Sequence, residues 1–198
     1  MIHFRLRDWV SVLIYRLLAP LFGSLGRGAR IIWPLRIFGA RFVHLEEGAT
    51  LQYGAYVAVL PQGGSLAELR IGAGTMIGNH AHLVCTRRIV FGRQVLVADR
   101  VFVADNGHAY TDPTRPILAQ GLEQLAEVHV GDGAWIGENV AIIGARVGRN
   151  SVIAANSVVT RDIPDRTVAA GAPAVPIRRW CEASRAWRRT APDGSFLP

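Results

Sequence analysis

Between Val103 and Ile117 the chain reads VADNGHAYTDPTRPI, and inside it Asp105, Asn106, Gly107 and His108 form a polar run ahead of Asp112-Pro113. Histidine is the residue whose ordinary pKa lets one group both take and return a proton near pH 7. An imidazole beside an alcohol and a thioester can remove the hydroxyl proton and then protonate the departing thiolate. Backbone N–H groups would stabilise the oxyanion of the tetrahedral intermediate. No Ser or Cys nucleophile with a positioned base accompanies His108, so for any such acyl transfer the route to expect is a direct one with His108 as general base. Asp105 has two open readings: it orients the imidazole, or it caps a turn through an Asx-type bond. His80 and His82, in IGNHAH, stand at outward places of the preceding segment.

The surrounding sequence explains where such a loop comes from. From Leu45 the chain falls into six-residue blocks: LEEGAT, LQYGAY and VAVLPQ from 45; IGAGTM, IGNHAH and LVCTRR from 71; FGRQVL, VADRVF and VADNGH from 91; VGDGAW and IGENVA from 130; VGRNSV, IAANSV and VTRDIP from 147. A six-residue period matches neither a helix nor a plain strand. It fits a short strand and a tight turn, repeated, with the first and fifth places pointing inward. Glycine permits positive φ at the turns. Ile142 to Val147 is one residue short, and from Val103 to Val130 the frame is lost. Stacked coils tolerate an insertion only as a loop leaving a corner.

These blocks resemble the hexapeptide-repeat, left-handed parallel β-helix family. In that family three blocks make one triangular coil, so residues 45–165 imply about five coils and Ile31–Val43 a weaker earlier one. The polar run resembles in particular the acetyl-CoA-dependent O-acetyltransferases, which include maltose, galactoside and xenobiotic acetyltransferases and polysaccharide-modifying relatives. There the excursion loop often carries D-H-N-H followed by D-P; here Asn106 replaces the first histidine and leaves His108 as the catalytic imidazole. VGDGAWIGENV (130–140) looks like the Trp-bearing coil of these enzymes, and AANSVVTRDIPDRTVAAGAPA (154–174) like their closing coil. The resemblance implies acetyl-CoA as co-substrate, a groove between subunits of a homotrimer, and coenzyme contacts at Trp135, Ala155, Thr160, Arg161 and Arg178, with Arg179 assisting. It implies acceptor contacts at His80 and Asn106. For His80 the competing reading is a solvated corner, and for Trp135 packing over the adjacent loop. Val175 stands where sugar acetyltransferases often carry an Arg. No metal is expected: the fold-related γ-class carbonic anhydrases need two His five residues apart, a pair that His80, His82 and His108 do not supply.

Length and charge bound the rest. At 198 residues and half hydrophobic, the chain suits one domain. All 22 basic residues are Arg. Residues 1–41 hold seven Arg against the single acid Asp8, and residues 178–198 five against Glu182 and Asp193, so the ends are basic and the body nearly neutral. Basic ends suit an anionic partner, but no nucleic-acid-binding motif is present. Asp8–Ala19 reads as a helix ended by Pro20. It is too short and too interrupted to span a bilayer. It either caps the core or lies in a membrane interface, with residues 5–22 as a peripheral contact. Cys85 and Cys181 have no metal-ligand spacing and suit a reducing, cytoplasmic setting.

The expected organisation is an N-terminal apolar and basic helical segment over 1–30, an all-β left-handed β-helix over 31–176 with an excursion loop at about 109–128, and a short C-terminal helix and tail over 177–198. Trp180 and Trp187, seven apart, would share a face of that helix. The function expected is acetyl transfer to a hydroxyl of a sugar-type acceptor in surface-polysaccharide or glycolipid synthesis. N-acetylation of an amino sugar and a non-catalytic scaffold are the alternatives.

Overall fold

The computed structural model describes residues 6–64 and 66–197. Three sheets form the faces of a triangular prism, and each coil gives one strand to each face in turn. The first face holds Ser24–Leu25, Val43–Leu45, Glu68–Ile71, Arg88–Phe91, Val128–Val130 and Arg146–Val147. The second begins with Arg30–Ile31, Thr50–Leu51, Met76–Ile77, Leu96–Val97, Trp135–Ile136 and Val152–Ile153, then adds Thr167–Gly171. The third holds Arg36–Phe38, Tyr56–Val59, His82–Cys85, Phe102–Ala104, Ala141–Ile143 and Val158–Val159. All pairings among these strands are parallel, as a left-handed β-helix requires.

The six-residue frame has a physical cause at each place. First-place residues, from Leu45 and Leu51 through Phe91 and Ile136 to Val159, are buried in one continuous core. Fifth places of the first two blocks of each coil are buried too, and Thr75 there joins coils: its Oγ1 donates to the Gly92 carbonyl at 2.6 Å and accepts from the Val95 N–H at 3.0 Å. Fourth places of the first two blocks of each coil adopt positive φ, with Gly, Asn, His80, Gln94 or Arg100 there. Second-place glycine answers a different need. A Cβ at Gly72 would lie 2.3 Å from the Gly92 carbonyl oxygen of the next coil, so only glycine lets the coils meet.

Three boundaries differ from the sequence expectation. The first coil starts at Ser24, ahead of the expected boundary at 31. The C-terminal segment is not a helix: Ala174–Cys181 runs antiparallel to Thr167–Gly171, and Ala186–Arg189 pairs back onto it. Trp180 and Trp187 are cross-strand partners with ring centroids 5.9 Å apart. A seven-residue spacing serves a helix face and a hairpin equally well. The excursion begins at Asn106 rather than Ala109, because Asn106–His108 already pairs antiparallel with Leu122–Gln124.

At the other end α1 (Leu6–Leu17) lies over the first coil, and Pro20 falls in a following 3-10 turn, Ala19–Leu21. Ser11 anchors it, donating to the Ile31 carbonyl at 3.0 Å and accepting from the Trp33 N–H at 2.8 Å. Because the coil stack cannot open around a Cβ at Gly72, Gly72→Ala is expected to cost about 2 kcal/mol or more of folding free energy. Urea unfolding followed by circular dichroism measures it.

Candidate functional site

The corner after Phe102–Ala104 carries the site. Asp105 is fully buried there. Its carboxylate accepts the backbone N–H groups of Thr86 (2.8 Å), Arg87 (2.8 Å) and Arg88 (2.7 Å), all from the corner of the preceding coil, and the Thr86 hydroxyl lies 3.0 Å away. Burial opposes its charge, but the Asn106 amide and those three N–H groups outweigh it and hold the carboxyl below its usual range. The same burial, with Asp105 beside it, pushes the Cys85 thiol up and keeps it neutral.

Asp105 therefore caps a corner, and its carboxylate makes no hydrogen bond to His108. The expectation that it orients the imidazole is corrected: its two oxygens accept the backbone N–H groups of Thr86, Arg87 and Arg88 instead. Asn106 also braces the corner, donating to the Val84 carbonyl at 3.1 Å and to the Asp105 carboxylate at 3.0 Å. Beyond it the loop is tied internally. Leu125 N–H donates to the Asp105 carbonyl at 2.9 Å, and Asp112 accepts from Thr114 N–H at 2.9 Å and from its hydroxyl at 2.7 Å. The five-residue step Ile142–Val147 lies where the loop returns, with Gly144 N–H bonded to the Ala104 carbonyl at 2.9 Å.

His108 is exposed at the mouth of a cleft of about 290 Å³, lined also by His82, Val84, Phe102, Ala104, Asn106 and Gly107. No side chain among the described residues hydrogen-bonds its ring. His82 shares this cleft, between the rings of Tyr56 (4.6 Å between centroids) and Phe102 (5.4 Å). Desolvation there lowers its pKa, which favours the neutral ring. The sequence placed His82 outward but gave it no acceptor role, although Tyr56, His82 and Phe102 share the sixth place of their blocks and so stack in one column.

His80 lies elsewhere. Its ring sits over Gly54, where a Cβ would come within 2.3 Å of Nδ1, and edge-on to Tyr53 at 5.5 Å. It lines a second cleft, about 440 Å³, with Arg7, Trp33, Pro34, Leu35 and Tyr53. Within one chain His80 and His108 do not share a cleft.

The expected coenzyme contacts split between two edges of the third face. Trp135 is half-exposed on the second face, near the corner that carries Ala155. It heads an outward column of Trp135, Val152, Val168, Arg178 and Arg189, each register partner of the next. Thr160 and Arg161 are exposed at the opposite edge, the one from which the His108 loop departs two coils earlier. Arg179 sits on the reverse face of the hairpin and donates to the Gly194 carbonyl at 3.0 Å. Arg189 escaped the sequence reading because its place in the column depends on the hairpin.

Residues 127–161 match the family described as the hexapeptide repeat of succinyl-transferase. A Saccharomyces cerevisiae protein assigned by name to the acetyltransferases is 44% identical over 117 residues, covering 56% of this chain and 59% of its own. The galactoside O-acetyltransferase of Escherichia coli is 34% identical over 114 residues, covering 57% of this chain and 54% of its own. The chain thus spans little more than half the length of these relatives. In fold it is similar to AntD, an N-acyltransferase from Bacillus cereus solved with dTDP and 3-hydroxybutyryl-CoA: the TM-score is 0.68 at 18% identity, covering 83% of this chain and 86% of that one.

Removing the Asp105 carboxylate takes the acceptor from three backbone N–H groups, that of the buried Thr86 and the part-buried ones of Arg87 and Arg88. Asp105→Ala is expected to lower unfolding free energy by about 3 kcal/mol or more. A depressed folded pKa stabilises fully above the unfolded value of about 4 and loses that stabilisation as pH falls through the folded value. Asp105→Asn should therefore flatten the wild-type loss of stability below about pH 4, read by denaturant titrations at neutral and acid pH.

Proposed function

We propose that this chain, which matches a hexapeptide-repeat family over residues 127–161 and is similar to named acetyltransferases, is an enzyme that moves an acetyl group from acetyl-CoA to a hydroxyl of a sugar-type acceptor, with His108 as general base. The observation that carries this reading is the unbonded, exposed His108 imidazole beside an aromatic and apolar cleft. The ring takes the proton of the attacking hydroxyl as the new O–C bond forms. It returns that proton to the sulfur as the C–S bond breaks, so no external acid or base is consumed. The neutral His82 ring, with Tyr56 and Phe102, offers flat faces to the C–H side of a pyranose.

The second-face column suits the donor. Three strand spacings of about 4.8 Å separate Trp135 from Arg178, roughly 14 Å of mostly apolar surface for a pantetheine arm. Arg178 and Arg189 lie directly opposite each other at its end. Like charges in that register repel unless an anion joins them, and the phosphates of coenzyme A supply one. Thr160 and Arg161 offer a further hydroxyl and cation from the other edge.

Trp135 and His108 depart from different edges of one prism, so a threefold ring that sets the third face of one copy against the second face of the next would unite them. A homotrimer is therefore part of the proposal. Surface polysaccharides and glycolipids are the acceptor class that the sugar chemistry suits.

His108→Ala is expected to reduce thiol release from acetyl-CoA at least about a hundredfold, with sedimentation unchanged. Wild-type protein that fails to bind coenzyme A would refute the reading. A shared site makes a further demand. Trimers re-formed from a mixture of His108→Ala and Trp135→Ala chains should regain activity that neither has alone; no regain places the whole site in one chain.

A further inference from the structure

α1 is amphipathic in the wrong sense for a core cap. Its buried residue is Ser11, while Leu6 is 84%, Leu13 64% and Leu17 82% exposed, followed by Leu21 at 61%. At 3.6 residues per turn, Leu6, Trp9, Val10, Leu13 and Leu17 fall within an arc of about 100°. Arg16 lies just outside one edge of that arc, Arg7 outside the other, and Ser11 opposite. Tyr15, on the Ser11 side, packs against the core. The helix is thus fastened to the prism by its polar side and turns its apolar side outward. Leu35 of the first coil, 72% exposed, enlarges the apolar surface beside it.

Charge decides what covers this surface. Residues 1–41 carry seven Arg against Asp8 alone. Two copies meeting here would bring net charges of the same sign together, whereas an anionic surface neutralises them. No helix among the described residues is long and apolar enough to cross a membrane. A stripe of leucines with a Trp, edged by arginines, is the composition of a helix that lies in the headgroup plane.

We propose that α1 docks the protein by the N-terminal end of the prism onto an anionic phospholipid surface, its leucines in the acyl boundary and Arg7 and Arg16 at the headgroups. Of the segment 5–22 expected from the sequence, Arg5 lies outside the described residues. The proposal is independent of the acetyl-transfer reading.

The test is co-sedimentation of the full chain with vesicles of phosphatidylglycerol and phosphatidylcholine, against vesicles of phosphatidylcholine alone. Wild type should bind the anionic vesicles at least tenfold better, and binding should weaken with salt. The double variant Leu13→Glu, Leu17→Glu should lose that binding with thermal melting and solution mass unchanged, because both side chains are exposed. No binding of the wild type, or equal binding of variant and wild type, overturns the proposal. So does a variant that drops to a smaller assembly, which would show that a second copy covers the face.

Discussion

Coil-to-coil hydrogen bonding in parallel register governs the rest of this molecule. Each strand of a face pairs with its counterpart one coil away, so Leu45 lies beside Ile71, and Ile71 beside Phe91. With strands about 4.8 Å apart, a residue is judged by its column more than by its sequence neighbours. Inward columns must be apolar or, like Thr75 and Ser151, bonded to the backbone of the adjacent coil. Second-place columns must clear the next coil's backbone, and fourth-place columns must accept positive φ. Function then has two places left: the outward columns and the corners.

The excursion loop follows from that constraint. It leaves through a corner, and doing so exposes the amides of Thr86, Arg87 and Arg88 in the coil below. Asp105 meets that cost with one carboxylate. The corner is rigid because it is polar and fully satisfied, and the loop inherits its direction from it. His108 stands three residues beyond, on a short hairpin anchored at both ends by the same corner: Leu125 N–H returns to the Asp105 carbonyl. The positioning of the imidazole thus comes through the backbone rather than through a side-chain partner, which leaves both ring nitrogens for chemistry.

The coils were legible from Leu45 onward because period six survives many substitutions. Ser24–Phe38 was harder to see: no run of six-residue blocks precedes Leu45, and Pro34 stands at the fourth place, where later coils put Gly54, His80 or Asn139. The terminal hairpin was invisible for another reason, since Trp180 and Trp187 satisfy a helical and a cross-strand rule with one spacing. His108 was legible as the polar residue at a break in the frame. Whether Asp105 served it could not be read, because an orienting carboxylate and a corner cap look alike until the amides of the neighbouring coil are placed. His80 drew attention through the motif, yet columns place His82, its second neighbour, beside His108.

Columns also bear on why one prism would be an incomplete enzyme. The strands of the three parallel faces are only two to five residues long, so each face is narrow and ends in a sharp corner. The aromatic cleft of Tyr56, His82 and Phe102 and the Trp135–Arg189 column are each open surfaces, the first floored by the third face and the second by the second face. Water excluded from an acyl-transfer site has to be excluded by something opposite, and a groove between two open surfaces on neighbouring copies would supply it. The geometry that makes the β-helix easy to build, with flat faces and sharp corners, is the same geometry that leaves both surfaces open, which is why the proposed acyl transfer is tied to the proposed trimer.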